Sequence, residues 1–133
     1  MGRSAARIEF LSDVIVGAVE GGTGYWAQVS HYQYVSQTGE LKLCVGEKLI
    51  AGKGTCAVLH EMEEDESGYK DEGLMLDVNA VAKGITLLLD PAQCTMDVRN
   101  IAEGSRTNDG GEIDSDLADV IAQAALLGEV VYG

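Results

Sequence analysis

The stretch Glu20–Val35, EGGTGYWAQVSHYQYV, decides how the rest of the chain is read. Three glycines of a GGTG run stand directly before a segment rich in aromatic residues, so the stretch is either a loop that cradles a cofactor or a connector between two elements. Gly22-Thr23-Gly24-Tyr25-Trp26-Ala27 fits the letters of the G-x-G-x-x-A dinucleotide fingerprint. That fingerprint works only where a strand feeds the loop and a helix leaves it, so that the helix N-terminus meets the pyrophosphate. Here the order is reversed. Ile8, Leu11, Val14, Ile15 and Ala18 recur at helical spacing and predict an amphipathic helix from about Ser4 to Glu20. Tyr25 to Ser36, aromatic and β-branched, predicts a long strand. The glycines are expected to end the helix by taking positive φ.

Beyond this strand, QTGE (37–40) predicts a turn and LKLCV (41–45) a second strand. GEKLIAGKGT has one residue too many for a phosphate loop and Gly54 where the metal-holding hydroxyl should stand, so it is expected to be a hairpin turn. TCAVLHE (55–61) alternates as a third strand, with Cys56, Val58 and His60 opposite Ala57 and Leu59. Short turns between successive strands predict an antiparallel meander. After a short apolar LML, Asp77 is expected to cap a second helix whose apolar face carries Val78, Val81, Ala82, Ile85, Leu88 and Leu89, ended by Asp90-Pro91. A weaker helix is expected from about Met96 to Glu103, and SRTNDGGE reads as a loop. Asp114 is expected to cap a last helix with Leu117, Val120, Ile121, Ala124 and Leu127 buried and Gly128 at its end, and the tail EVVYG to add an edge strand. The expectation is one α+β domain over residues 1–133: a small antiparallel sheet of three or more strands packed with three to four helices on one face.

The 133 residues suffice for one core without metal or disulfide staples. A formal net charge of −13 and a pI near 4.3 disfavour direct nucleic-acid or membrane contact and favour basic partners. Cys44, Cys56 and Cys94 are an odd set without a CxxC pair, which indicates neither a disulfide framework nor a zinc ribbon. The start shows no signal peptide and no long apolar run, so a cytoplasmic protein is expected.

No motif for catalysis or for a cofactor or metal survives inspection. NDGGEID (108–114) lacks carboxylates at the calcium-loop positions that require them. Cys56 and His60 share a strand face but lie about 13 Å apart along an extended chain, too far for a thiolate and its base. Cys44 or His31 from another strand would have to complete such a site. Tyr25, Trp26, Tyr32 and Tyr34 lack the basic groove of a nucleobase platform and are expected to pack the sheet. What departs from the ordinary is the acidity. Glu61, Glu63, Glu64, Asp65, Glu66, Asp71 and Glu72 face only Lys70, and Glu103, Asp109, Glu112, Asp114, Asp116 and Asp119 have only Arg106 nearby. Solubility and helix N-terminal charge explain part of this. A negative face that docks on a basic protein surface explains it more fully, since clustered carboxylates approximate the field of duplex DNA.

FLSDVIVGAVEGGTGYWAQVSHYQY near the start, DESGYKDEGLMLDVNAVAKGI in the middle and IDSDLADVIAQAALLGEVVYG at the end are spread over the whole chain. Over these segments it resembles a group of small acidic proteins of actinobacterial phages and integrated elements. The resemblance carries no established activity and no catalytic residues; it implies a phage-associated protein acting in a bacterial cytoplasm. The sequence therefore points to a non-enzymatic binder of a basic, nucleic-acid-handling host protein. Its expected contacts are Glu61, Glu63, Glu64, Asp65, Glu66, Asp71, Glu72, Asp109, Glu112 and Asp116, in a monomer or homodimer. Two alternatives stand beside it: a small-molecule site or small enzyme with a pocket at Gly22, Gly24, Tyr25 and Trp26, and self-assembly through the EVVYG tail.

Overall fold

Ser4 opens the first helix as its sequence position predicts: its hydroxyl accepts the Arg7 amide at 3.1 Å, and α1 runs over Ala5–Gly17. The computed structural model describes residues 2–62, 73–92 and 97–133. Phe10, Leu11, Val14 and Ile15 are the buried stripe of α1, whereas Ile8, expected inside, is 44% exposed. Phe10 takes its place, with the Arg7 guanidinium 5.1 Å from its ring centre.

The helix does not stop at the first glycine. A π-helical turn over Ala18–Gly22 follows, closed by the Thr23 amide on the Ala18 carbonyl at 2.8 Å. Neither Gly21 nor Gly22 has positive φ, so the expected reason for these glycines is corrected. Gly22 is needed for close approach: a Cβ there would lie 2.4 Å from the Ser115 carbonyl oxygen.

The strands are β1 (Ala27–Val35), β2 (Leu41–Val45), β3 (Cys56–Glu61) and β4 (Leu74–Leu76), all antiparallel in the order β2-β1-β3-β4. The LML segment thus contributes a fourth strand. The expected meander is also corrected, because β3 pairs with β1 rather than with β2. Residues 46–54 are a crossover from one flank of β1 to the other, not a hairpin turn. Gln33, fully buried on β1, makes that crossover possible. Its Nε2 lies 3.1 Å from the Lys53 carbonyl and 3.0 Å from that of Gly54, and its Oε1 accepts the Ile50 amide at 2.9 Å. Backbone groups of a loop that leaves the ladder are satisfied by one side chain.

A second irregularity sets the faces of β1. The register against β3 slips between Val29 and His31, which makes Ser30 the extra residue of a β-bulge. Since strand side chains alternate, one inserted residue switches the phase. Ala27 and Val29 face the core before the bulge, and Tyr32 and Tyr34 after it. Ala57, Leu59 and Leu76 join them, while Cys56, Val58 and His60 lie on the opposite face.

Helix α2 (Val78–Leu89) begins at Asp77, whose Oδ1 accepts the Ala80 amide at 2.9 Å. It buries Val81, Gly84, Ile85 and Leu88, and leaves Leu89 37% exposed. Gly84 lets α2 meet the last helix at backbone distance, since a Cβ there would stand 2.6 Å from the Ile121 carbonyl oxygen. Helix α3 (Arg99–Thr107) lies later than expected and runs into the predicted loop; it stops where Asn108 takes the left-handed conformation at φ 54°. Asp109 then caps a 3₁₀ turn over Gly110–Glu112.

Helix α4 (Ser115–Leu127) has the expected caps, Asp114 on the Leu117 amide at 2.9 Å and Gly128 at φ 81°. It buries Ile121 and Ala124 as expected, together with Ala118, Asp119, Ala122 and Gln123, whereas Leu117, Val120 and Leu127 are only half-buried. The tail forms no strand and is held by side-chain bonds described below. Among the described residues no helix is long and apolar enough to cross a membrane.

Gln33→Leu keeps the volume of the side chain and removes its amide. The crossover carbonyls lose their donor, and unfolding in urea is expected to show a loss of about 2–3 kcal/mol; a change within about 0.5 kcal/mol would show that the loop holds itself.

Candidate functional site

Helix α4 brings a carboxylate to the entrance of β1. Asp119, only 5% exposed, accepts a bond from the Trp26 indole Nε1 at 2.7 Å and one from the Tyr25 hydroxyl at 2.6 Å. Gln123, one turn on and fully buried, adds its Nε2 at 3.1 Å. No ion pair among the described residues neutralises Asp119, so these three donors carry the cost of burying its charge. Bonding to Asp119, then burial, holds the Tyr25 phenol above its ordinary pKa.

The same glutamine fixes the tail. Its Oε1 accepts the amides of Val131 and Tyr132, both at 2.8 Å, and its Nε2 lies 3.1 Å from the Tyr132 carbonyl. This replaces the expected edge strand: the tail amides are bound by a side chain. Tyr132 is thereby laid on Trp26, with ring centres 5.3 Å apart and planes 8° from parallel, and its hydroxyl donates to Glu61 Oε1 at 3.0 Å. Of the stretch proposed for a pocket, Trp26 is 2% exposed beneath Tyr132, Gly22 is closed against α4, Gly24 borders open space and Tyr25 is 53% exposed.

A second feature is the acidic surface. Glu63, Glu64, Asp65, Glu66, Asp71 and Glu72 lie outside the described residues. Asp109, Glu112 and Asp116 are exposed, as are Glu9 and Asp13 of α1, and Asp13 lies beside the 3₁₀ turn: a Cβ on Gly110 would stand 3.0 Å from Asp13 Oδ2. Partial burial first, and the Glu9 charge second, hold the Asp13 carboxyl above its ordinary value. The nearest cation does not neutralise them. Arg7 gives Nη1 to the Ser105 carbonyl at 2.7 Å and to Asn108 Oδ1 at 3.0 Å, and Nη2 to Ser105 Oγ at 3.0 Å. Glu103, by contrast, is paired with Arg106 at 2.6 Å.

His31, His60 and Cys56 fall on the sheet face away from the core. His60 is 5% exposed and its Nε2 shares a hydrogen bond with Ser30 Oγ at 2.8 Å; His31 Nε2 lies 2.8 Å from Gln33 Oε1. Cys56 is buried, and burial raises its thiol, which leaves it a poor nucleophile; Cys44 is exposed on β2. Among the described residues no hydrogen bond joins either histidine to a thiol.

A cleft of about 790 Å³ opens between the start of α1, the start of α2 and the turns at 36–39 and 52–55. Ile8 and Val35, each 44% exposed, form its apolar wall. At its floor Lys53 Nζ donates to Asp77 Oδ2 at 2.6 Å. Burial pushes the Asp77 carboxyl up, but the Lys53 bond and the Ala80 amide outweigh it and hold the carboxyl below its ordinary value. These charges are matched to each other.

Sequence reading grouped Asp119 with the exposed acids and passed over Gln123 and Tyr132. The available signal was the i, i+4 spacing of Asp119 and Gln123 within an apolar run. In comparisons with known protein families, characterised proteins and solved structures, no match to the chain was found.

The opening glycines differ in role, and substitution separates them. Gly22→Ala forces a methyl into the Ser115 carbonyl and is expected to cost about 1–3 kcal/mol, whereas Gly24→Ala meets nothing within 4 Å and is expected to fall within about 0.5 kcal/mol of the parent. Thermal unfolding of the two variants checks the contrast.

Proposed function

We propose that the protein is a non-enzymatic acidic binding module of a phage or mobile element, which engages a basic, nucleic-acid-handling protein of the bacterial host and inhibits or regulates it. The observation that carries this reading is the set of exposed carboxylates on adjoining elements, Glu9, Asp13, Asp109, Glu112 and Asp116, with no ion pair among the described residues. Arg7, the cation beside them, is bound to carbonyl, amide and hydroxyl oxygens instead. Such a surface attracts cationic partners over about a Debye length, roughly 8–10 Å at ordinary salt. Because that attraction is the one a basic surface uses for phosphate backbones, the module competes with nucleic acid for the same site.

The test is capture from an actinobacterial lysate followed by rebinding of the identified, purified protein. A basic, nucleic-acid-handling protein is expected, with affinity falling about tenfold from roughly 50 to 300 mM salt, and duplex DNA is expected to displace the module. The variant carrying Asp109→Asn, Glu112→Gln and Asp116→Asn is expected to weaken binding without disturbing the 3₁₀ turn, since the first of these changes leaves a side-chain oxygen for the Gly111 amide that Asp109 caps. Binding indifferent to salt, DNA and this variant contradicts the reading.

A further inference from the structure

We propose that Tyr25, Met62, Val130 and Val131, rimmed by Glu61, Asp116 and Glu129, form the seat for a basic amphipathic segment of the protein partner, one in which Lys or Arg alternates with bulky apolar side chains. This rests on the reading of the protein as an acidic binding module, and adds where recognition occurs and what the partner segment looks like.

The four apolar residues are 53%, 41%, 38% and 55% exposed, in that order; Tyr25, Met62 and Val131 are each bonded to residues of the Trp26–Tyr132 stack or of its Asp119 and Gln123 base, and Val130 precedes Val131 in the chain. Tyr25 precedes Trp26. The Met62 amide donates to the Trp26 carbonyl at 2.8 Å. Val131 is fixed through its amide on Gln123 Oε1, and the tail returns to Tyr25, whose hydroxyl would lie 3.4 Å from a Cβ on Gly133. Large apolar side chains scattered singly over a surface need no explanation, but exposed apolar residues tied to one rigid aromatic pair are candidates for a docking patch.

The rim decides the occupant. Glu61 is bound to the Tyr132 hydroxyl, Asp116 is close enough for its charge to act on the Tyr25 phenol, and Glu129 lies two residues before Val131. None of the three is in an ion pair among the described residues. Carboxylates around an apolar centre repel phosphate and favour cations, and the net charge of −13 adds to this at longer range. A purely cationic strand would leave the apolar centre wet, so the complementary segment carries apolar side chains between its charges. The seat is pre-organised, because the Asp119 and Gln123 bonds fix its base before any partner arrives.

Two fluorescein-labelled peptides test the assignment: a helical peptide with Lys on one face and Leu and Phe on the other, and its equal-charge counterpart with every Leu and Phe replaced by Ser. Each is titrated by fluorescence anisotropy against the full chain and against Met62→Ser and Val131→Ser, whose side chains point to solvent. The Trp26 indole NMR signal reports that each variant is folded. The amphipathic peptide is expected to bind about tenfold more tightly than its Ser counterpart, to shift the Trp26 signal, and to lose that advantage in the variants. Equal binding of both peptides overturns the seat while leaving the acidic module standing. Binding of neither peptide at low salt overturns both. A homodimer by light scattering that Val131→Ser dissociates assigns the surface to a second copy and overturns the proposal.

Discussion

The buried carboxylate of Asp119 is the constraint on which most of the molecule turns. A charge at 5% exposure without a cation persists only if donors surround it, and Trp26, Tyr25 and Gln123 provide them. Each donor fixes something else. Trp26 leads into β1, Tyr25 is left facing solvent on a bonded hydroxyl, and Gln123 uses its remaining capacity to hold the tail. The tail lays Tyr132 on Trp26 and reaches Glu61 at the end of β3. One polar centre thus joins α4, β1, β3 and the tail, and the close contact of Gly22 with Ser115 sets α4 beside the π turn at the distance this requires.

Gln33 does comparable work at the other end of β1. Its bonds satisfy backbone groups of the crossover that carries the chain past β1 to β3. In both places a fully buried glutamine, not an apolar side chain, sets the topology. Polar groups of this kind add specificity because the alternatives leave them unbonded.

Much of the fold was legible in the sequence because local signals agreed with it. Asp77 and Asp114 cap the helices they were expected to cap, the first helix starts at Ser4 as expected, and β1, β2 and β3 fall where alternation placed them. What escaped was non-local. Strand order depends on Gln33 meeting a loop some 20 residues later, and the end of α3 on Asn108 accepting a left-handed backbone. The Ser30 bulge reverses the in-out phase of β1 midway, which simple alternation cannot reveal. At the candidate site Tyr25 and Trp26 stood out by type, but Asp119 read as one more surface acid. Burial of a carboxylate is a property of its donors, and two of the three, Tyr25 and Trp26, lie more than 90 residues away in the chain.

The most direct measurement of this account is the effect of Asp119→Ala on the Trp26 environment and on stability. The account predicts a shifted Trp26 indole NMR signal, an unpinned tail that loses the Tyr132 ring over Trp26, and a loss of about 3 kcal/mol in urea unfolding. An unchanged indole signal with unfolding within about 0.5 kcal/mol of the parent would contradict it, because the strand, the last helix and the tail would then be held together by packing alone.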